Sequence, residues 1–213
     1  MKKGIWYLLR LLRIAGSVQL WLKSGLTEDG WFRSFHAQAS IDAQGKPLPW
    51  FNYAFIKFLA PRLKPSMTLF EYGSGNSTIW FAGKVQTVCA VEHDELWVQK
   101  LASQLPSNAK IVFRSLLYDK VAYIQEVGKA NTLYDLIIVD GRERNACVAA
   151  SIACLSMQGV LILDNSEREK YLPAHHTLHA QGFKALDFWG MPVGAAHNSC
   201  TTVFYKNENV LGI

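Results

Sequence analysis

Two spacings of apolar residues alternate along most of this chain. Short apolar runs bounded by turn residues, which are typical of buried strands, are separated by longer segments in which apolar residues recur at helical spacing. Strands that alternate with helices in this way indicate a parallel sheet with both faces covered. The predicted strands span 68–72, 87–91, 110–113, 134–139, 159–163, 183–189 and 201–205, and the predicted helices span 50–63, 95–104, 118–127, 144–155 and 167–180.

The last two predicted strands are joined by a loop and not by a helix, which indicates an antiparallel pair at one edge of the sheet. The pattern therefore predicts the α/β class: a Rossmann-like, doubly wound sheet of seven strands, mostly parallel with an antiparallel last strand, and helices on both faces. A length of 213 residues with 50% hydrophobic content suits one core. We expect an N-terminal amphipathic helix and extension over residues 1–45 and one domain over residues 46–213.

The segment 5–22 is rich in Leu, Ile and Trp, but Arg10, Arg13 and Gln19 interrupt it. These interruptions argue against a signal peptide, and also against a membrane-spanning helix, which needs roughly 20 mostly apolar residues. The segment is instead predicted to form a basic amphipathic helix. Either residues 1–23 contact a membrane surface peripherally, or the helix packs on the domain or on a second subunit in a homodimer. We favour the packed helix.

Basic residues outnumber acidic ones, and the net charge is +5. Part of this excess is local, because the first acidic residue is Glu28. The distribution argues against a nucleic-acid partner, which would need basic side chains clustered on the folded domain. A membrane surface or an anionic substrate stays open. The basic residues of this first segment are Lys2, Lys3, Arg10, Arg13 and Lys23.

The four cysteines form no Cys-x-x-Cys pair, and several fall within predicted strands or helices. Reduced, buried thiols are therefore expected, as in a cytoplasmic protein. If the basic N-terminal segment binds lipid, it would hold the protein at the inner face of the membrane. The cysteines are Cys89, Cys147, Cys154 and Cys200.

The strand 68–72 leads into a turn that contains two glycines and then into residues suited to start a helix. Such a strand, turn and helix begin a nucleotide-binding sheet, and Gly73 and Gly75 would let a ligand approach the backbone closely. A pyrophosphate-binding loop has a third glycine where this chain has Thr78, and Glu71 would repel phosphates. A cationic ligand is favoured instead. The helix cap is expected at Asn76, Ser77 or Thr78.

Four of the first five predicted strands end in an acid, and in open α/β sheets ligands bind at these carboxyl ends. A single acid after a strand is usually a solvated turn or a helix cap, whereas four on one rim indicate a binding site. Glu92 lies about twenty residues beyond the glycine turn, where an acid can accept hydrogen bonds from both hydroxyls of a ribose. The four acids are Glu71, Glu92, Asp140 and Asp164.

Motifs at these strand ends read FEYGSGNST from Phe70, VEHD from Val91, VDGR from Val139 and LDNS from Leu163. Together they resemble the motifs of class I methyltransferases that use S-adenosylmethionine (SAM), and the nearest group is the bacterial FkbM-like one. The resemblance extends over roughly residues 30–206 and implies SAM as the cofactor. The glycine turn would surround its methionine part, with Glu92 at the ribose and His93 at the adenine. The implied cofactor-binding residues are Glu71, Gly73, Ser74, Gly75, Ser77, Glu92, His93 and Asp140.

The resemblance implies methyl transfer, and we expect O-methylation of a small molecule or sugar. The hydroxyl must be aligned with the sulfonium and must lose its proton, which a base or a metal ion can assist. Asp140 is the leading candidate for that base, and His197, before the last strand, is another. Arg142 and Arg144 could fix an anionic or sugar-like acceptor or could be surface charges, and Trp50 could line the pocket or lie in the core. The predicted catalytic residues are Asp140, Arg142 and His197.

A metal site is the alternative to a metal-free base. Asp140, Asp164 and Asn165 resemble the metal-binding trio of catechol-type O-methyltransferases. Three oxygen ligands at one rim would suit Mg²⁺ as a further cofactor. In the other interpretation Asp164 and Asn165 cap the next helix, and Asp140 holds the turn formed by Gly141 and Arg142.

Two other functional classes stay open. One is another Rossmann-like enzyme, such as an aminopropyltransferase or an NAD-dependent oxidoreductase, although the missing third glycine and Glu71 argue against NAD. The other is a non-catalytic, membrane-associated protein that keeps the fold. Base methylation of DNA is disfavoured, because Gly141-Arg142-Glu143 follows the fourth strand where that chemistry usually has a Pro-Pro-aromatic turn.

Overall fold

A computed structural model describes residues 2–213, and it describes side chains from Gly4 onward. The strands are β1 (Thr68–Tyr72), β2 (Thr87–Glu92), β3 (Ala109–Phe113), β4 (Tyr134–Val139), β5 (Leu155–Asp164), β6 (Lys184–Gly190) and β7 (Ser199–Tyr205). They form a seven-stranded sheet in the order β3-β2-β1-β4-β5-β7-β6. Strands β1 to β5 run parallel, and β7 pairs antiparallel with both β5 and β6. The predicted fold class is confirmed.

Helices precede the sheet and cover both of its faces. Two hydrophobic clusters lie on opposite sides of the central strands, because successive residues of a strand point to opposite faces. Leu69 faces the cluster that also contains residues of α5 and α6, whereas Phe70 faces α8, α9 and α10. Both side chains are fully buried, which stabilises the fold by about 1.5–3 kcal/mol for each. The helices are α1 (Lys2–Leu11), α2 (Ala15–Leu22), α3 (Gly25–Glu28), α4 (Trp31–Ala37), α5 (Tyr53–Leu59), α6 (Asn76–Ala82), α7 (Glu95–Ala102), α8 (Lys120–Lys129), α9 (Arg144–Ser151) and α10 (Leu172–Ala180).

Several element boundaries differ from the predicted ones, and local hydrogen bonds explain two of them. Helix α5 begins at Tyr53 and not at Trp50, because the Asn52 side chain caps it by accepting from the Phe55 amide at 2.9 Å. Helix α10 begins at Leu172, after a 3₁₀ turn over Glu169–Tyr171, and Pro173 in its first turn needs no amide partner. Strand β5 is longer than predicted and begins at Leu155, directly after a 3₁₀ turn that follows α9.

The N-terminal segment forms two helices instead of the single predicted one. Helices α1 and α2 are separated at Leu12–Ile14, where Arg13 adopts a φ of 58°. No residue between Gly4 and Asp29 is buried, so the helix is not packed on the domain as one half of the favoured interpretation expected, whereas packing on a second subunit stays a prediction. Burial begins at Gly30, and the predicted boundary at residue 45 stays a prediction. Among residues 2–213, no helix has the length and apolar character needed to cross a membrane.

Residues after Gly30 attach to the rim of the sheet at its carboxyl ends. The Trp31 indole donates to the Ala195 carbonyl at 2.9 Å. The Asn76 side chain donates to the carbonyl of Ser40 at 2.7 Å. These contacts hold the segment before the sheet against both the last hairpin and the start of α6, so that it forms one wall of the cavities at this rim.

Candidate functional site

The glycine turn after β1 has a backbone that only glycine adopts easily at its first position. Gly73 has a φ of 94°, its amide donates to the Val91 carbonyl at 2.9 Å, and an added Cβ would lie 3.4 Å from the Asp140 carbonyl oxygen. Gly75 is the N-cap of α6, so the predicted cap at Asn76, Ser77 or Thr78 is wrong. Thr78 lies in the first turn and reaches back, accepting from the Gly75 amide at 3.0 Å.

Glu71 lies directly beneath this turn and is 1% exposed. Its Oε2 accepts from the Thr78 hydroxyl at 2.6 Å. Burial raises the pKa of Glu71 to about 8; hydrogen bonds from Ser77 and Thr78 oppose the rise, and the charges of Asp140 and Glu92 add to it. The carboxyl is therefore mostly protonated at neutral pH, and it becomes a full counter-charge when a cation approaches.

Glu92, at the end of β2, is held rigidly by its neighbours. Its Oε1 accepts from the backbone amides of His93 at 2.7 Å and Asp94 at 3.1 Å, and its Oε2 accepts from the Ser74 hydroxyl at 3.1 Å. His93 Nδ1 lies 2.6 Å from Oε1 without hydrogen-bond geometry, while its Nε2 accepts from Arg142 Nε at 3.5 Å. The Glu92 carboxylate keeps acceptor capacity on Oε2 for a ligand hydroxyl.

A cavity of about 240 Å³, here called the cofactor cavity, brings most of the predicted cofactor residues together. Every predicted residue except Gly75 lines it. Three carboxyl groups on one wall suit a ligand that carries positive charge and hydroxyl groups. Its lining residues are Glu71, Gly73, Ser74, Ser77, Glu92, His93, Asp140, Gly141, Arg142 and Arg144.

A second cavity, of about 430 Å³, also borders the glycine turn and is here called the indole cavity. Gly75 and Asp140 line it, together with the indoles of Trp50 and Trp97. Sequence reasoning missed Trp97, which lies in the first turn of α7, where its amide donates to the capping side chain of Asp94 at 3.0 Å. The Trp97 indole donates to the Ser74 carbonyl at 2.9 Å, so it supports the glycine turn.

A third cavity, of about 380 Å³, shares Asp140 with the other two cavities and is here called the acceptor cavity. It joins the predicted residues Asp164, Asn165 and His197 to Trp50, which therefore takes the pocket position and not the core position of its two alternatives. Sequence reasoning missed Arg168, which an inspection of the charges after β5 could have found. The cavity is lined by Trp50, Asp140, Asp164, Asn165, Arg168, Pro192, Ala195 and His197.

Asp140 and Asp164 are joined by one buried cation. Arg144 Nη2 donates to Asp140 Oδ1 at 2.7 Å, its Nη1 donates to the Asp164 carbonyl, and its Nε donates to the Gly141 carbonyl at 3.0 Å. Its side chain is 8% exposed, so Arg144 is a structural link between the ends of β4 and β5 and not a surface charge. Arg142, by contrast, is exposed at the mouth of the cofactor cavity.

The two carboxyl groups share an environment that favours holding a proton. Burial raises the pKa of Asp140, and Arg144 opposes the rise. Burial together with the charge of Asp140 raises the pKa of Asp164 well above its usual range. Asp164 Oδ1 accepts from the Thr201 hydroxyl at 2.7 Å, so Asp164 does not cap the next helix. Of the pair, Asp140 is the more exposed and faces the cavities.

The predicted Mg²⁺ trio fits a metal ion poorly. Arg144 already pairs with the Asp140 carboxylate, and burial together with the charge of Asp140 raises the pKa of Asp164, which disfavours a second carboxylate charge there. The Arg144 guanidinium donates to Asp140 Oδ1, and the Thr201 hydroxyl donates to Asp164 Oδ1, so both oxygens already have hydrogen-bond partners. The described part of the chain contains no group of three or more His, Cys, Asp or Glu side chains that could hold a metal ion. The Mg²⁺ prediction therefore gains no support from the donor set.

No protein-family model and no curated protein sequence matches the chain, but solved structures do. The O-methyltransferase TomG from Streptomyces achromogenes, solved in complex with SAM, has a TM-score of 0.57 at 11% identity over 86% of this chain and 90% of that chain. A candidate O-methyltransferase from Klebsiella pneumoniae has a TM-score of 0.57 at 16% identity over 94% of each chain. Spermidine synthase from Thermotoga maritima has a TM-score of 0.50 at 14% identity over 70% of this chain and 56% of that chain.

At these identities the likeness shows the fold alone. The chain has the Rossmann-like fold of class I SAM-dependent methyltransferases, with the antiparallel last strand that the sequence predicted. The same fold includes a spermidine synthase, so the activity has to be argued from the cavities themselves.

Proposed function

We propose that this chain is a SAM-dependent methyltransferase of the FkbM-like group, acting on a hydroxyl of a small molecule or sugar. The observation that carries the proposal is the position of Asp140, which lines the cofactor, indole and acceptor cavities at once. Molecules bound in these cavities would both border this carboxyl group. Such a shared wall is what direct transfer between two bound molecules requires.

The donor set of the cofactor cavity fits SAM. Glu71 offers a counter-charge beneath the glycine turn, and Glu92 offers a fixed acceptor for ribose hydroxyls. The first turn of α6 and the open backbone of Gly75 leave room beside the turn, since an added Cβ there would meet only Trp97, at 3.9 Å. When bound, SAM supplies a methyl group on a sulfonium, so the S–CH₃ bond breaks as the O–CH₃ bond forms and S-adenosylhomocysteine leaves.

The proton of the acceptor hydroxyl goes to Asp140. Its side chain is 26% exposed, and Arg144 fixes Oδ1, which leaves Oδ2 to accept the proton. The raised pKa of Asp140, caused first by burial, brings its basicity closer to what a general base needs. Burial and the charge of Asp140 raise the pKa of the neighbouring Asp164, which disfavours a second negative charge beside the base.

The acceptor cavity suits a hydroxylated ring. The Trp50 indole, 56% exposed, offers an apolar face, and Asn165, Arg168 and His197 offer hydrogen-bonding groups around it. This combination of one aromatic face and several polar groups binds ligands with alternating C–H and O–H surfaces. No step is assigned to a metal ion, because Arg144 supplies the positive charge beside Asp140.

Isothermal titration with SAM and with S-adenosylhomocysteine tests the proposal. Binding of both in the micromolar range is expected; failure of both to bind would overturn it. Decarboxylated SAM and NADH are titrated in parallel, since tighter binding of the former would indicate an aminopropyltransferase and binding of the latter an oxidoreductase. Binding of SAM without turnover against a panel of sugars and phenols would favour a non-catalytic protein with the same fold.

A further inference from the structure

The two N-terminal helices present apolar side chains that the rest of the chain leaves uncovered. No residue between Gly4 and Asp29 is buried, whereas every central strand of the sheet contains fully buried side chains. Nine large apolar side chains within residues 5–22 are between 44% and 73% exposed. Such a density of exposed apolar surface marks an interaction site. The nine are Ile5, Tyr7, Leu8, Leu11, Leu12, Ile14, Leu20, Trp21 and Leu22.

Arg10 and part of the apolar residues of α1 lie on opposite sides of the helix. Helical spacing groups Ile5, Leu8 and Leu12 on one face and places Arg10 on the opposite one. Arg13, in the break between α1 and α2, and Lys23, after α2, are both exposed. An apolar face bordered by basic side chains is the arrangement of helices that lie in the plane of a membrane interface.

The charge of the segment selects an anionic lipid surface over a second copy of the chain. Five basic residues and no acid precede Glu28 in the sequence. A second copy seated on the same face would bring these like charges together, which costs binding energy. Anionic headgroups attract each basic residue near the surface by about 1 kcal/mol, or roughly fivefold in affinity.

We propose that α1 and α2 bind peripherally to a membrane that contains anionic lipid. The apolar side chains enter the boundary between headgroups and acyl chains, while Arg10, Arg13 and Lys23 contact the headgroups. This surface is separate from the three cavities, so the proposal is independent of the methyltransferase assignment. It selects the peripheral membrane contact over the packing, on the domain or on a second subunit, that the sequence favoured.

Co-sedimentation of the full chain with vesicles tests the proposal. Vesicles of phosphatidylcholine mixed with phosphatidylglycerol are compared with vesicles of phosphatidylcholine alone, each at low and high salt. Binding is expected to the mixed vesicles only, and it should weaken as salt screens the basic residues. Equal binding to both kinds of vesicle, or no binding to either, would overturn the proposal.

Two double variants separate the apolar and the electrostatic contributions. Leu8→Ser with Trp21→Ser should weaken binding to mixed vesicles by about tenfold for each side chain. Arg10→Gln with Arg13→Gln should weaken it by about fivefold for each charge and flatten the salt dependence. Matched controls change exposed residues of the domain: Leu117→Ser with Met157→Ser for the apolar pair, and Lys64→Gln with Lys206→Gln for the charged pair.

The two control variants should bind vesicles as the wild type does. All four double variants should keep the thermal midpoint of the wild type, because every substituted residue is exposed. Sedimentation velocity without lipid provides the competing outcome. If the wild type is a dimer that Leu8→Ser with Trp21→Ser converts to a monomer, and vesicles do not bind it, the surface is a subunit interface and the membrane proposal is wrong.

Discussion

The cofactor cavity and the acceptor cavity share Asp140 but are built in different ways. The key carboxyl groups of the cofactor cavity, Glu71 and Glu92, are buried. Glu71 accepts from Thr78, seven positions later in the chain, and Glu92 accepts from the amides of the two residues that follow it. The acceptor side combines Trp50, the ends of β4 and β5, and His197, and its polar groups other than Asp164 remain at least partly exposed. The first site is therefore rigid and local, whereas the second is assembled from distant segments.

This difference separates binding from chemistry. Groups fixed before a ligand arrives lose little entropy on binding, so the carboxylates of the cofactor cavity should mainly set affinity. Asp140 is tied to Arg144 at one oxygen and faces the cavities with the rest of its carboxyl group, so it should mainly set rate. Substitutions on the two sides should then change different kinetic constants, and the following predictions are ordered from the largest effect to the smallest.

Asp140→Asn should lower kcat by about 10²–10⁴-fold, because the amide cannot accept the acceptor's proton. The dissociation constant for SAM should change far less, since Glu71 and Glu92 remain. Steady-state kinetics and isothermal titration on the same preparation measure the two constants.

The matched control for that variant is Asp135→Asn, at the opposite end of β4, where the carboxylate accepts from the Thr68 amide at 3.0 Å and the Ser156 hydroxyl at 2.9 Å. This control should keep kcat even if it lowers the thermal midpoint. A comparable loss of kcat in both variants would mean that strand β4 is disturbed and that Asp140 is not the base.

Glu92→Gln should weaken SAM binding by about 10- to 100-fold, because hydrogen bonds to a charged acceptor contribute about 1.5–3 kcal/mol. At saturating SAM, kcat should recover most of its wild-type value. Titration calorimetry gives the affinity, and kinetics at high SAM give kcat. Glu95→Gln, an exposed acid at the start of α7, removes the same charge nearby and should bind SAM as the wild type does; equal weakening in both variants would contradict a direct ribose contact.

The local construction of the cofactor cavity explains why the sequence predicted it well. Glu71 and Thr78 lie in one strand, turn and helix unit, and Glu92 ends the neighbouring strand, so regular strand pairing alone brings them to one rim. The sequence of the turn also predicted that glycine is needed at position 73, and Gly73 has a φ of 94°, which favours glycine. The predicted N-cap of α6 was wrong because Gly75 takes an extended conformation before the helix, and the Thr78 side chain, inside the helix, accepts from the Gly75 amide.

The acceptor side and the N-terminal helices were harder to predict because their structure depends on long-range packing. Arg144 could be expected at a surface, and only the convergence of β4 and β5 buries it between Asp140 and Asp164. Trp97 supports the glycine turn through a contact 23 positions away, which no periodicity shows. The apolar pattern of residues 5–22 is the same whether the helix is covered by protein or by lipid, so the pattern could not distinguish the two.

Glu71→Gln should remove a proton release that accompanies SAM binding. The pKa of Glu71, raised to about 8 mainly by burial, leaves the free carboxyl mostly protonated at pH 7, and the cationic ligand lowers that pKa. The wild type should release up to about one proton at pH 7, and its affinity should rise with pH by up to about tenfold per unit until about pH 8. Titration in buffers of different ionisation enthalpy counts the protons.

Subtracting the number of protons released by Glu71→Gln from the number released by the wild type isolates the contribution of this residue, because the ligand's own amine titrates equally in both proteins.

The raised pKa of Glu71 also has a consequence for stability. Because the folded state holds the proton above the ordinary pKa of 4.5, the wild type should lose free energy of unfolding as the pH rises from that value towards about 8. Chemical denaturation across this range should show a shallower slope for Glu71→Gln, and identical slopes would contradict the raised pKa.

His197→Ala should have the smallest effect and should act on the acceptor side only. His197 is exposed on the wall of the acceptor cavity, and losing one neutral hydrogen bond of about 0.5–1.5 kcal/mol should raise KM for the acceptor by about 2- to 12-fold. Both kcat and SAM affinity should stay near their wild-type values. The control is His176→Ala, which changes an exposed histidine of α10 and should leave kcat, KM and SAM affinity unchanged. A loss of kcat with a shifted pH profile would instead assign the proton transfer to His197 and leave Asp140 to position the acceptor.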